Sequence, residues 1–232
     1  MYYTGDDFYG RINICSRTAY LYEIRQKLNH VDWLWLKDGP FGKVLEMIQQ
    51  VSFSSQTIHA VLMKQLDSGK KYETWYDVCG KESRFSMKEF SLITGLNCGE
   101  GRVQPRRGEK AAMTNFFNKS TMSVNELFER FIHYVPYDFH KLQMAMLLIV
   151  EGILLGGDKK RLVNPLHVKL LERTETFYEY PWGRLAYLEL HKSLTTSLSK
   201  RMETSNKAKQ VSSDRRIPYS LQGLPLVFQV SI

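Results

Sequence analysis

The chain has 232 residues, with 32 Lys and Arg against 24 Asp and Glu, giving a formal net charge of +8. Hydrophobic residues make up 43% and aromatics 12%, enough to build a core, which excludes global disorder. Three scattered cysteines, Cys15, Cys79 and Cys98, exclude a disulfide framework.

The N-terminal stretch carries Asp6 and Asp7 and no apolar run, so it reads as neither a secretory signal nor a transit peptide. The longest apolar stretch, residues 142–155, is interrupted by Gln143 and Glu151. It falls short of the roughly 20 residues that cross a bilayer and reads as a buried core helix. No membrane association is expected, and the cysteines are expected to be reduced, in the nucleus or alternatively the cytoplasm. The sequon Asn118-Lys119-Ser120 has no meaning without secretion.

In chain order, Leu21, Ile24 and Leu28 share one face of a helical segment opening at Ser16. Phe41, Val44, Leu45 and Ile48 repeat the pattern after Gly39-Pro40, and Ile58, Val61, Leu62 and Leu66 after Ser54-Ser55. The period then changes. Tyr72, Thr74, Tyr76 and Val78 alternate with Glu73, Trp75, Asp77 and Cys79; Gly80 follows and Arg84-Phe85 return the chain. This predicts a short hairpin over 72–85, which must lie on helices to be stable.

Ser86-Met87-Lys88-Glu89 is a capping box, with Phe85 and Phe90 placed as a hydrophobic staple and Gly95 as the helix stop. Ser123-Val124-Asn125-Glu126 repeats it, with Met122 and Leu127 as the staple pair. Phe128, Phe131 and Ile132 form a stripe ending before Pro136, and Asn164-Pro165 starts a further helix. Tyr187, Leu190, Leu194 and Leu198 line a long helix after Pro181-Trp182-Gly183. Residues 97–107 and 203–216 read as loops, and no internal repeat is present. The fold class is mainly α: a single helical domain of about eight to ten helices with one small β-hairpin. Residues 1–40 form an N-terminal helical lead-in and 41–232 the main domain.

Metal chemistry finds no support, because the cysteines form no CxxC pair and Pro136 separates His133 from His140. His59, His167 and His191 lie near apolar faces, where a satisfied or half-exposed histidine is the default. Cys98-Gly99 has the look of a cysteine-protease pair but sits in glycine-rich loop text, and Cys79 reads as a small core residue. Gly156-Gly157-Asp158-Lys159-Lys160 lacks P-loop spacing, and Gly95, Gly99 and Gly101 do not spell a dinucleotide fingerprint. No catalytic, metal or cofactor-binding residue is assigned, and no small-molecule ligand is predicted.

Basic clusters remain. Arg102, Arg106, Arg107 and Lys110 lie in or beside the first loop, and Lys159, Lys160 and Arg161 follow the central helix. Lys200, Arg201, Lys207, Lys209, Arg215 and Arg216 dominate the last loop. Flexible basic loops neutralise phosphates well, so Arg102, Arg106, Arg107, Lys110, Lys200, Arg201, Arg215 and Arg216 are the candidate nucleic-acid contacts. Aromatics do not interleave with them, so a stacking platform for single strands is missing there.

Three ordered phrases carry a resemblance. Trp75-Tyr76-Asp77-Val78 runs through Arg84-Phe85-Ser86-Met87-Lys88-Glu89-Phe90 to Thr94-Gly95-Leu96-Asn97-Cys98. Tyr180-Pro181-Trp182-Gly183-Arg184 follows, then Tyr219-Ser220-Leu221-Gln222-Gly223-Leu224-Pro225-Leu226. Together they resemble a plant-specific domain of unknown function, often found ahead of Ulp-type SUMO-protease domains in Mutator-like transposon-derived proteins. The resemblance covers residues 41–229 and extends to the plant mobile-domain class of helical folds. It implies a nuclear, non-catalytic module and carries no catalytic or ligand residues.

The chain departs from that pattern in lacking the protease domain and in stopping at Val230-Ser231-Ile232. A helix shortened there is expected to expose Leu226, Phe228 and Val230. The leading expectation is an interaction module with a protein partner. The alternatives are a nucleic-acid-binding module using basic loops 102–110 and 200–216, and an enzyme gathering Cys98 with a histidine.

Overall fold

Helix starts and stops written into the sequence organise the chain. The computed structural model describes residues 10–100, 109–158, 160–196 and 217–232. Strand β1 (Gly10–Ile14) leads to helices α1 (Tyr20–Lys27), α2 (His30–Asp38), α3 (Gly42–Gln50) and α4 (Ser55–Leu62). Strands β2 (Gln65–Leu66), β3 (Glu73–Val78) and β4 (Lys81–Ser86) precede α5 (Met87–Thr94) and α6 (Glu109–Phe117). Helix α7 (Val124–His133) is followed by α8 (Phe139–Leu148), which runs on as a π-helical segment, Ile149–Leu154. Helices α9 (Pro165–Leu170), α10 (Thr174–Glu179) and α11 (Trp182–Leu194), strand β5 (Ile217–Leu221) and helix α12 (Pro225–Ser231) complete the order.

The fold is mainly helical, as the periodicity predicts. Both capping boxes form: the Ser86 and Ser123 hydroxyls cap α5 and α7 while Glu89 and Glu126 reach back to the cap amides. Gly95 stops α5 in the left-handed region at φ 68°, and Asn164 caps α9 with Pro165 in its first turn. Phe85 and Phe90 are fully buried, each with its ring centre 5.8 Å from that of Tyr187 on α11. The segment expected to open at Ser16 starts its helix at Tyr20 instead. Ser16 caps nothing; its hydroxyl donates to the Ile153 carbonyl at 2.8 Å.

The expected hairpin is present, with Glu73 paired to Ser86 and Val78 to Lys81, and β2 extends it to three antiparallel strands. Cys79 is a correction. It is exposed in the two-residue turn, because a tight hairpin that matches strand twist needs positive φ at both turn positions. Cys79 and Gly80 supply φ 54° and 79°. A second sheet was beyond the reach of local pattern: β1 pairs in parallel with β5 across the length of the chain, Gly10 against Ile217 through Ile14 against Leu221. The N-terminal lead-in therefore holds a strand as well as helices.

One hydrophobic cluster runs from Ile12 to Phe228. Its axis is α8 and the π segment, buried continuously from Met144 to Leu155. Gly152 lets the segment meet α1, since a Cβ there would lie 2.9 Å from the Tyr20 ring. Its carbonyl accepts the Arg17 amide at 2.9 Å. Helix α12 corrects the expectation of an exposed end: Leu226 and Phe228 are buried, and only Val230 of the three is exposed. The Phe228 ring lies 5.0 Å from Tyr76 and 5.1 Å from Phe85, so the sheet and α12 cover each other.

Candidate functional site

The turn between α7 and α8 is built around a buried lysine. Pro136 ends the preceding helical pattern, and Asp138 caps α8 by accepting the Lys141 amide at 3.1 Å. Lys141, in the first turn of α8, is only 3% exposed. Its ammonium donates to the Tyr134 carbonyl at 2.8 Å and lies 4.6 Å from the centre of the Tyr137 ring. The Tyr134 hydroxyl donates to Asp138 at 3.0 Å, closing the loop on itself. Burial pushes the Lys141 ammonium below the ordinary lysine range, nearby Lys27 pushes the same way, and Asp138 opposes both.

What this holds in place is apolar and in water. Val135 is 80% exposed, Tyr137 69% and Phe139 53%. His140 backs the loop from inside, stacked on Phe116 of α6 at 4.1 Å; burial, then Arg130, lower its pKa against an opposing Asp138. A loop whose backbone is held in this way has little ordering left to undergo in any contact it makes.

A second constellation lies at the centre of the core. Glu151 of the π segment is fully buried and its Oε1 accepts from His167 Nδ1 at 2.7 Å and from the Asn164 amide at 2.9 Å. Arg161 Nη2 stands 3.7 Å from Oε2. Burial works against the charge on Glu151, but the His167 bond and charge, the Asn164 amide and Arg161 together hold its carboxyl below the usual carboxylate range. Oε2 of Glu151 and Nε2 of His167 are both buried without a hydrogen-bond partner among the described residues. Single-turn π segments inside α-helices recur at functional sites. The dyad was missed in the sequence, where Glu151 reads as a flaw in an apolar run. That flaw was the available signal, because a carboxylate at a buried helix position must find partners.

The Cys98 thiol is half-buried against α11, where a Cβ on Gly183 would fall 2.6 Å from its sulfur. Burial raises its pKa, opposed by Ser91 and Arg184, so the thiolate is disfavoured. His167 is engaged with Glu151, and His191 lies against the Tyr187 ring. Of the candidate nucleic-acid contacts, Arg102, Arg106, Arg107, Lys200, Arg201, Arg215 and Arg216 lie outside the described residues. Lys110 falls within α6 by its backbone. Among the described residues, no group of three or more His, Cys, Asp or Glu is gathered as metal ligands would be. Nor is any helix there long and apolar enough to cross a membrane.

The family described as a domain of unknown function (DUF1985) matches residues 62–193, more than half of the chain. The chain belongs to this family. No curated protein and no solved structure matches it. The DUF1985 segment contains the three-stranded sheet, the loop pinned by Lys141, and the Glu151–His167 pair. Strands β1 and β5 and helix α12 lie outside the matched residues yet share their hydrophobic cluster through Ile12, Leu221 and Phe228.

Proposed function

We propose that this DUF1985 protein is a non-catalytic interaction module that engages a protein partner through the loop joining α7 to α8. The observation that carries the reading is the contrast between Lys141, buried beneath the loop, and Val135, Tyr137 and Phe139, held out in water. Aromatic tips on a preorganised backbone are the kind of anchor that dominates interface energies. The three ordered sequence phrases extend the reading to a nuclear, transposon-derived plant protein of the kind found beside Ulp-type proteases. The test is affinity capture from plant nuclear extract, comparing the native chain with a Tyr137→Asp/Phe139→Asp variant by quantitative mass spectrometry. Proteins retained by the native chain and lost by a folded variant support the module; the same proteins on both baits refute it.

The net charge of +8 favours a second reading, nucleic-acid binding through basic loops 102–110 and 200–216. It requires binding to short duplex or single-stranded DNA that weakens steeply with salt, with a logarithmic slope of about −0.9 per phosphate contacted on duplex. Reversing the charges at Arg106, Arg107, Arg215 and Arg216 should abolish that binding. No binding at low salt removes the reading.

A further inference from the structure

The turn between β1 and α1, one face of α7 and the turn at residues 157–158 enclose an open groove of about 530 Å³. That volume lies within the range of small-molecule sites. Arg17 is the one cation among the described lining residues. Its guanidinium lies over the Tyr20 ring, 5.6 Å from the ring centre, its Nη2 makes a long 3.3 Å bond to the Gly157 carbonyl, and its Nη1 is closed off from solvent with no hydrogen-bond partner among the described residues. Beside it Tyr20 and Phe128 stack at 4.0 Å with their rings 7° from parallel, giving the groove an aromatic wall. Glu129 and Asp158, both exposed, bring two carboxylates to the lining.

We propose that this groove binds a small monocarboxylate with a flat apolar body, its carboxylate taken by Arg17 and its body lying against Phe128. A buried guanidinium nitrogen without an acceptor is costly, and a long bond to a neutral carbonyl compensates little. Turning the guanidinium into the groove exchanges both for a paired, charge-assisted contact with a carboxylate. The charge balance narrows the ligand. Glu129 and Asp158 repel a phosphate dianion or a nucleic-acid backbone, whereas one negative charge at Arg17 is tolerated. The aromatic wall selects an apolar body over a compact inorganic anion. Nothing in this depends on the loop between α7 and α8 being an interface.

The experiment is a set of ¹H–¹⁵N titrations of the full chain with phenylacetate, inorganic phosphate and benzylamine. Phenylacetate is expected to shift the amides of Arg17, Thr18 and Phe128 saturably. Arg17→Lys, which keeps the charge but loses the two-pronged contact, should weaken it by about tenfold. Glu129→Gln, which removes a repelling rim charge, should tighten it by about twofold. Asn125→Trp puts a bulky side chain into the groove from an exposed position on α7 and should abolish the shifts. The proposal is overturned by the absence of a saturable shift in the native chain, or by phosphate or benzylamine binding tighter than phenylacetate. Undiminished binding by a folded Arg17→Lys or Asn125→Trp protein overturns it equally.

Discussion

Glu151 and His167, sixteen residues apart in sequence, meet through a 2.7 Å hydrogen bond inside the hydrophobic core. The bond runs from the π segment to α9, and the Asn164 amide at the start of α9 binds the same carboxylate oxygen. A residue that interrupts the apolar run thus cross-links the central helix to the next one. Glu151 Oε2, which faces Arg161 at 3.7 Å, and His167 Nε2 lack hydrogen-bond partners among the described residues, which makes the pair sensitive to any further loss of partner.

Glu151→Gln should therefore destabilise the fold by about 3 kcal/mol at neutral pH, as removal of one member of a buried pair generally does. The pH dependence has a definite sign. The folded carboxyl is held below its usual range, so its contribution is complete above the unfolded value of about 4.3 and fades as pH falls below it. Urea denaturation of both proteins from pH 7 to pH 3.5 checks this. The stability gap should narrow as pH falls below about 4.3; a gap that widens there contradicts the assignment.

Glu126 gives a second, surface case. The Ser123 amide and hydroxyl, followed by Lys119, hold its carboxyl down to about 2. Ser123→Ala removes the hydroxyl and should raise the Glu126 value toward the ordinary carboxylate range, read by NMR titration of its side-chain carbon. Folded below unfolded, this carboxyl favours the native state above about pH 4.3 and stops doing so as pH falls through 2. A Glu126 titration unchanged in the variant would remove the Ser123 hydroxyl as one of its causes.

The helix ends were legible because capping and stapling are local. Ser86 with Glu89, Ser123 with Glu126, Asn164 with Pro165 and the stop at Gly95 each need only a few neighbouring residues to be recognised. The hairpin was legible for the same reason, its period of two being visible within β3. The pairing of β1 with β5 was not, since Gly10 and Ile217 carry no local sign of each other. Nor was the burial of Phe228, which depends on Tyr76 and Phe85 arriving from the distant sheet. The loop between α7 and α8 fell in between: Pro136 marked the break, but only the fold shows Lys141 turning inward while Tyr137 stays out.

Two glycines at positive φ separate strain from crowding. Gly80, at φ 79° in the hairpin turn, has open space around an added Cβ. Gly223, at φ 72° between β5 and α12, would set a Cβ 2.8 Å from the Leu190 amide nitrogen and 3.0 Å from its Cα. Gly80→Ala should cost about 1 kcal/mol, the left-handed penalty alone. Gly223→Ala should cost well over that, about 3 kcal/mol or more, because backbone of α11 must shift as well. Thermal denaturation of the two variants decides it; equal losses would mean that α12 and α11 part more easily than their packing implies.

Lys141→Met tests whether the loop between α7 and α8 works through its rigidity. Methionine keeps the apolar stem among Phe131 and Tyr137 but cannot donate to the Tyr134 carbonyl. Loss of that single charge-assisted bond should lower stability by only about 1–2 kcal/mol, leaving the protein folded. Amide exchange at Tyr134, Tyr137 and Asp138 should then quicken while exchange in the π segment stays slow. Retention of the captured partner should fall although Val135, Tyr137 and Phe139 are untouched, because the loop must now be ordered at the moment of binding. Faster exchange with undiminished capture would show that the side chains bind without the preformed backbone. Unchanged exchange would show that the Tyr134 bond does not hold the loop.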